Sequence, residues 1–207
     1  FIDILLSKVN KREMLIMSKW LSAGLNAIMI FGNIAVFFMY LCFIVPFYYL
    51  YEAITGRIVN SILTGDDFLL TPGRHFLSAA VMQSFPSWPY AILMAIGIAI
   101  NVWASIKFLR ALLEILENID QQHYFSTENV GSLKTMVMAQ LVMVVADVFM
   151  ASGNQLSSSW FFRINNGVAS ATWPTCFDDL FVAIALGAIY VTYQHAMAIK
   201  AENDLTV

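Results

Sequence analysis

The residues of this chain that could do chemistry are few and widely spaced. Asp147 stands out, because Met143, Val144, Val145 and Ala146 lead into it along an apolar run. A carboxylate inside hydrocarbon is costly, so it must face protein or water, or carry a proton. Gln140 and Met143 share roughly its helical face. Asn33 and Asn101 sit in two other apolar runs and are candidate partners, while His195 lies nearer one end of the last run. Asp147, Gln140, Asn33 and Asn101 are therefore the candidate intramembrane polar set. Two chemistries are open to it: a proton or cation site, or a polar clamp between helices. By its spacing Asp147 lies only about four or five residues from the outer end of its helix, within reach of water.

The remaining titratable groups do not converge. His75, His123 and His195 are too far apart in sequence and topology to form a metal site, so no metal is expected. No nucleophile is spaced with a base, and no Gly-rich phosphate loop or acidic metal loop is present. Catalysis needs convergent polar groups, and the expectation is a non-catalytic protein without a cofactor. Cys42 and Cys176 belong to different apolar runs and are expected to be free thiols.

The elements that must hold these residues follow from composition. The 207 residues are 59% hydrophobic and only 12% charged, with a mean hydropathy of +0.71. Soluble domains carry about a quarter charged residues, so this chain has too little charge to cover a water-facing surface. The same apolar excess rules out disorder. With 11 Lys and Arg against 14 acidic residues, direct nucleic-acid binding is not expected. The implied partner is the lipid bilayer. A crossing helix needs about 20 apolar residues. Four segments qualify, at about 27–51, 90–109, 135–151 and 180–199, and none has the form of a signal peptide. The fold class is all-α, a polytopic membrane protein with 1–207 as one four-helix domain. With Phe1 in place of a starting Met, the native N-terminus is not expected to be represented.

Charge gives the orientation. Lys8, Lys11, Arg12, Lys19, Lys107, Arg110, Lys134 and Lys200 fall on one side, and Arg57, Arg74 and Arg163 on the other. This bias points to a cytoplasmic membrane with both termini in the cytoplasm. Ile54, Ile58 and Ile62, with Val59 and Leu63, have the spacing of a short interfacial helix that Thr64–Gly65–Asp66–Asp67 ends. Residues 1–20, apolar and basic with Trp20 at the end, read as a second surface-lying segment. Pro46 should bend the first span. The second outer connection, about 152–179, is rich in Ser and aromatics, and its Trp160, Phe161 and Phe162 should pack on the bundle's end; a two-stranded hairpin within it is weakly signalled. On the cytoplasmic side Leu109, Leu112, Leu113, Leu116 and Ile119 carry the second helix beyond the membrane. Gln121–Tyr124 then turn, and Ser126 or Thr127 caps the third helix with Glu128 in its first turn. The result is a cytoplasmic helical hairpin extension. Gly32 with Ala35, Ala95 with Ala99, and Ala183 with Gly187 offer close helix contact.

Two segments carry a resemblance: Asn118–Ile119–Asp120 with Tyr124–Phe125–Ser126–Thr127–Glu128–Asn129–Val130 and Leu133, and the ending Glu202–Asn203–Asp204–Leu205–Thr206–Val207. They resemble a bacterial four-span membrane family, domain of unknown function 2975, with its P-F-T-x-E-N-V-x-x-L motif and E-x-D-L-T-[VI] terminus. The family has no established activity. The resemblance implies a regulatory or protein-interaction role, because some members are encoded beside small transcription regulators. It makes Glu128, Asn129, Glu202, Asp204, Leu205 and Thr206 the candidate interaction positions toward a cytosolic protein partner. Two other functions stay open: a small transporter or channel subunit using Asp147, and an accessory subunit of a larger membrane complex.

Overall fold

Proline sets the first break. Pro46 has no N–H to give the carbonyl of Cys42 and its ring crowds that oxygen. The Cys42 carbonyl accepts from Val45 N instead, at 3.0 Å, and the helix is interrupted at residues 42 and 43. The first span is thus two helices, α1 (Ile2–Leu41) and α2 (Ile44–Ile54). In this computed structural model residues 2–70, 79–167 and 169–204 are described, the first twenty of them and residue 204 by backbone alone. Residues 2–20 are helical and continuous with the span. Gly56, at φ +69, turns the chain into α3 (Ile58–Thr64), after which come β1 (Phe68–Leu70) and α4 (Ala79–Gln83). Two long helices follow, α5 (Ser87–Asp120) and α6 (Thr127–Phe161), then β2 (Arg163–Asn165) and α7 (Trp173–Asp204).

Four of these segments, 22–54, 87–120, 127–161 and 173–203, are long and apolar enough to cross a membrane. The chain is an all-α, multi-pass membrane protein. The α5–α6 hairpin is its centre: α1 and α2 pack on α5, and α7 packs on α6. The most apolar stretches of α5 and α6 are 39% and 44% buried, whereas those of α1–α2 and α7 are 6% and 11% buried. The outer pair of spans therefore presents most of its apolar surface outward, as lipid-facing helices must. Glycine allows the hairpin its close approach. A Cβ on Gly97 would stand 3.0 Å from the Ala146 carbonyl, and one on Gly153 would meet the Met94 sulfur. Gly32 does the same against Leu113, but Gly187 faces open space and seats no helix.

Three sequence expectations change. The third helix does not stop near residue 151 but runs to Phe161, and the fourth starts at Trp173 rather than near 180. Ser152–Ser159 look like a loop because they are polar, yet Asn154 and Ser157 are buried and bonded inside the protein. The second connection shrinks accordingly. Its one strand pairs not within that connection but antiparallel with β1 of the other, Phe68 opposite Asn165 and Leu70 opposite Arg163. The short helix α3 forms where its spacing places it. Ile58 and Ile62 are 2% and 1% exposed and join the protein's core cluster, so its apolar stripe packs on protein. The expected caps and turns hold: Pro46 breaks the first span, Gly65 ends α3, and Cys42 and Cys176 are free thiols.

Candidate functional site

The longer α6 moves Asp147 inward. From Asp147 to Phe161 is 14 residues, about 20 Å of helix, so it is not near that end of the helix. It is 3% exposed, and among the described residues its buried Oδ2 has no hydrogen-bond partner. The carboxyl beside it belongs to Asp179 of α7, and the Cys176 thiol lies near both. Gln140 is buried on the same side and reaches the Asp179 backbone carbonyl at 3.5 Å. The two asparagines do not join them. Asn33 is exposed and donates to Met29 O in its own helix, and Asn101 accepts from Ser105 Oγ. Asp147 and Gln140 thus form an α6–α7 contact with Asp179, which a later start for the fourth helix had hidden. The signal was Pro174 after Thr172: proline favours a helix's first turn, and the Thr175 hydroxyl accepts from Thr172 N.

Among the described residues no three His, Cys, Asp or Glu side chains gather as a metal site. His123 and His195 are exposed, and His75 lies outside the described residues.

The turn between α5 and α6 is built around Asn129, which is 2% exposed. Its Nδ2 donates to the carbonyls of His123 and Tyr124 at 2.9 and 3.3 Å, and its Oδ1 accepts from Asn118 Nδ2 at 2.7 Å. Ser126 caps α6, its hydroxyl accepting from Asn129 N. From α7 the Tyr193 hydroxyl donates to the Tyr124 carbonyl and accepts from Ser126 N and Asn129 Nδ2. One residue from each of three helices therefore fixes the turn. Deeper in the hairpin, Ser132 Oγ donates to Glu114 at 2.9 Å.

This rigid frame holds two large side chains outward. Tyr124 and Phe125 are 53% and 51% exposed. Phe125 stacks on Tyr193 with 5.9 Å between ring centres, and Lys200 stands 5.9 Å from the same ring. Beside them is a hollow of about 560 Å³ bordered by Asn118, Gln122, His123, Glu128 and Lys200. Glu128 is exposed in the first turn of α6, where negative charge suits the helix dipole. Glu202 is exposed near the end of α7. Asp204 closes that helix, while its side chain, Leu205 and Thr206 lie outside the described residues. Sequence reasoning reached Asn129 and missed Tyr193, for which no local signal exists: its partner is more than sixty residues away.

A family model described as protein of unknown function (DUF2975) matches residues 78–207, which take in both long hairpin helices, the turn and α7. No curated protein and no solved structure matches the chain.

Proposed function

The chain belongs to this family of unknown function, and from that premise we propose that it is a non-catalytic regulatory protein of the bacterial cytoplasmic membrane that binds a cytosolic protein partner. Its two ends and the α5–α6 turn face the cytoplasm in this reading, as the excess of Lys and Arg at that end favours. The observation that carries it is the pair Tyr124 and Phe125, half exposed yet fixed by Asn129 and Tyr193. Aromatic side chains held rigid on a surface lose little entropy on binding and are typical anchors of protein interfaces. Glu128 and Glu202 add acidic groups to the same end, and the hollow bordered by Glu128 and Lys200 offers a partner one charge of each sign. The tail from Asp204 to Val207 supplies further acidic and apolar contacts.

The test is capture of cytosolic proteins by the detergent-purified chain, followed by identification of what is retained. Replacing Phe125 by Ala should cut retention of the specific partner about tenfold or more, the scale of an interface anchor, while membrane insertion is unchanged. Deleting Asp204–Val207 should weaken it less. Retention indifferent to both changes would remove the reading.

A second reading rests on Asp147. An intramembrane carboxyl beside a second carboxyl, with one buried oxygen unpartnered, supports a proton or cation pathway in a small transporter or channel subunit. Flux through reconstituted vesicles that is abolished by Asp147→Asn would favour it over the first.

A further inference from the structure

At the end of the hairpin opposite the turn, the α2–α3 corner encloses a cavity of about 240 Å³. Its walls come from α2, α3, β1, β2 and the start of α5, and among the residues lining it are Tyr48, Tyr49, Glu52, Asp67, Tyr90 and Asn165. Two carboxylates contribute. Glu52 is 6% exposed, with one oxygen 3.3 Å from Arg57 and the other accepting from Ser61 Oγ at 2.6 Å. Asp67 uses its backbone carbonyl to accept from Asn166 N, and among the described residues its carboxylate has no ion pair. Arg57 offsets one of the two charges, so the described residues lining the cavity carry a net negative charge.

The second observation is independent of charge. Tyr90 is 1% exposed, and among the described residues its hydroxyl has no hydrogen-bond partner. A buried hydroxyl left unpaired is destabilising, so a group that accepts from it inside the cavity would recover that loss. Tyr49 offers a second donor: its oxygen already accepts from Asn165 Nδ2 at 2.9 Å, and the proton of the hydroxyl is not used in that bond. The cavity thus sets negative charge beside two phenolic donors, with three tyrosine rings around it. Aromatic walls and carboxylates together select an organic ammonium group. Phenolic donors select an acceptor oxygen a few atoms away. Drug-sized ligands occupy pockets from about 300 Å³ upward, so a smaller molecule fits.

We propose that this cavity binds a small amino alcohol, its ammonium group facing Asp67 and Glu52 and its oxygen accepting from Tyr90 and Tyr49. The site is separate from the turn that carries the proposed partner surface and does not depend on that reading.

The experiment uses the full chain in a maltoside detergent, with choline and ethanolamine as probes and calorimetry and thermal unfolding as readouts. Both 3,3-dimethylbutan-1-ol, the uncharged shape analogue of choline, and glycerol serve as neutral comparisons. Choline or ethanolamine at millimolar concentration should release or take up heat saturably and raise the unfolding temperature. The neutral molecules should not. Asp67→Asn should weaken binding about tenfold or more, as expected for loss of an ionic partner worth roughly 1.4 kcal/mol. Tyr90→Phe should weaken binding too, yet leave the ligand-free protein equally or more stable, because the hydroxyl it removes is unpaired there. A purely structural role for Tyr90 would instead lower ligand-free stability. No saturable response to either amine, equal binding of the neutral alcohols, or unchanged affinity in Asp67→Asn would each overturn the proposal.

Discussion

The two ends of α6 solve one problem with the same residue type and reach different outcomes. Near its start, Asn129 turns its amide toward the carbonyls of His123 and Tyr124. Near its end, Asn154, also 2% exposed, donates to the carbonyls of Ala169 and Ala171 at 2.8 and 2.7 Å, while its Oδ1 accepts from Asn165 N. Each buried amide thus satisfies the backbone of a connection that has no regular ladder of its own, where an unpaired carbonyl would be costly. At the first end the connection is short and tight, and its aromatics point outward. At the second it is longer and folds back over the helix. There Phe85 packs against Phe161 and Tyr90, with ring centres 4.7 and 5.5 Å away, and Ser157 Oγ donates to the Arg163 carbonyl. The lesson is that a polar side chain near a membrane helix end can be a structural centre, and what it leaves exposed depends on the length of chain it must gather.

This comparison can be broken or sharpened by substitution. The largest effect should come from Asn154→Ala, which strands two carbonyls inside packed protein; a loss of about 2–4 kcal/mol is expected, since each buried group left unpaired costs about 1–3 kcal/mol. Denaturant unfolding in mixed micelles measures it. Asn129→Ala should cost less, about 1–2 kcal/mol, because the residues whose carbonyls it serves, His123 and Tyr124, are exposed, whereas Ala169 and Ala171 are buried. If the two substitutions cost the same, the burial argument that separates the ends fails. Tyr193→Phe removes one hydroxyl that serves three backbone and side-chain groups, and about 1 kcal/mol is expected. It should also loosen the turn, read as faster amide exchange at Tyr124 to Ser126; unchanged exchange would show that α7 does not brace it. The cap ranks level with this substitution or below it. Ser126→Ala should cost about 1 kcal/mol and Ser126→Gly only a few tenths, a difference that isolates the hydroxyl's bond to Asn129 N from the backbone's own preference.

How far the sequence reached differs by element. Helix ends marked by a local device were legible: Pro46 at the first break, Ser126 at the start of α6, and Gly65 at the end of α3. Ser152–Ser159 were not, since their polarity reads as a loop until the carbonyls they serve are known. The same error set Asp147 too close to one surface and left Asp179 in a connection. Helix contacts were partly legible. Small residues announced close packing, yet spacing alone could not separate Gly97, pressed against the α6 backbone, from Gly187, which faces nothing within 4 Å.

Apolar runs of membrane-crossing length, helix-breaking residues and caps act over a few neighbouring positions, and the sequence alone therefore determined four crossing helices, the α5–α6 turn and an all-α fold. The tertiary structure decided which polar groups meet. It paired Asp147 with Asp179, brought Tyr193 to the turn of Asn129, and set Tyr90 beside Glu52 and Asp67 around one cavity. Those partners lie far apart along the chain, and their encounter depends on how α5, α6 and α7 pack in register, which no short-range preference encodes.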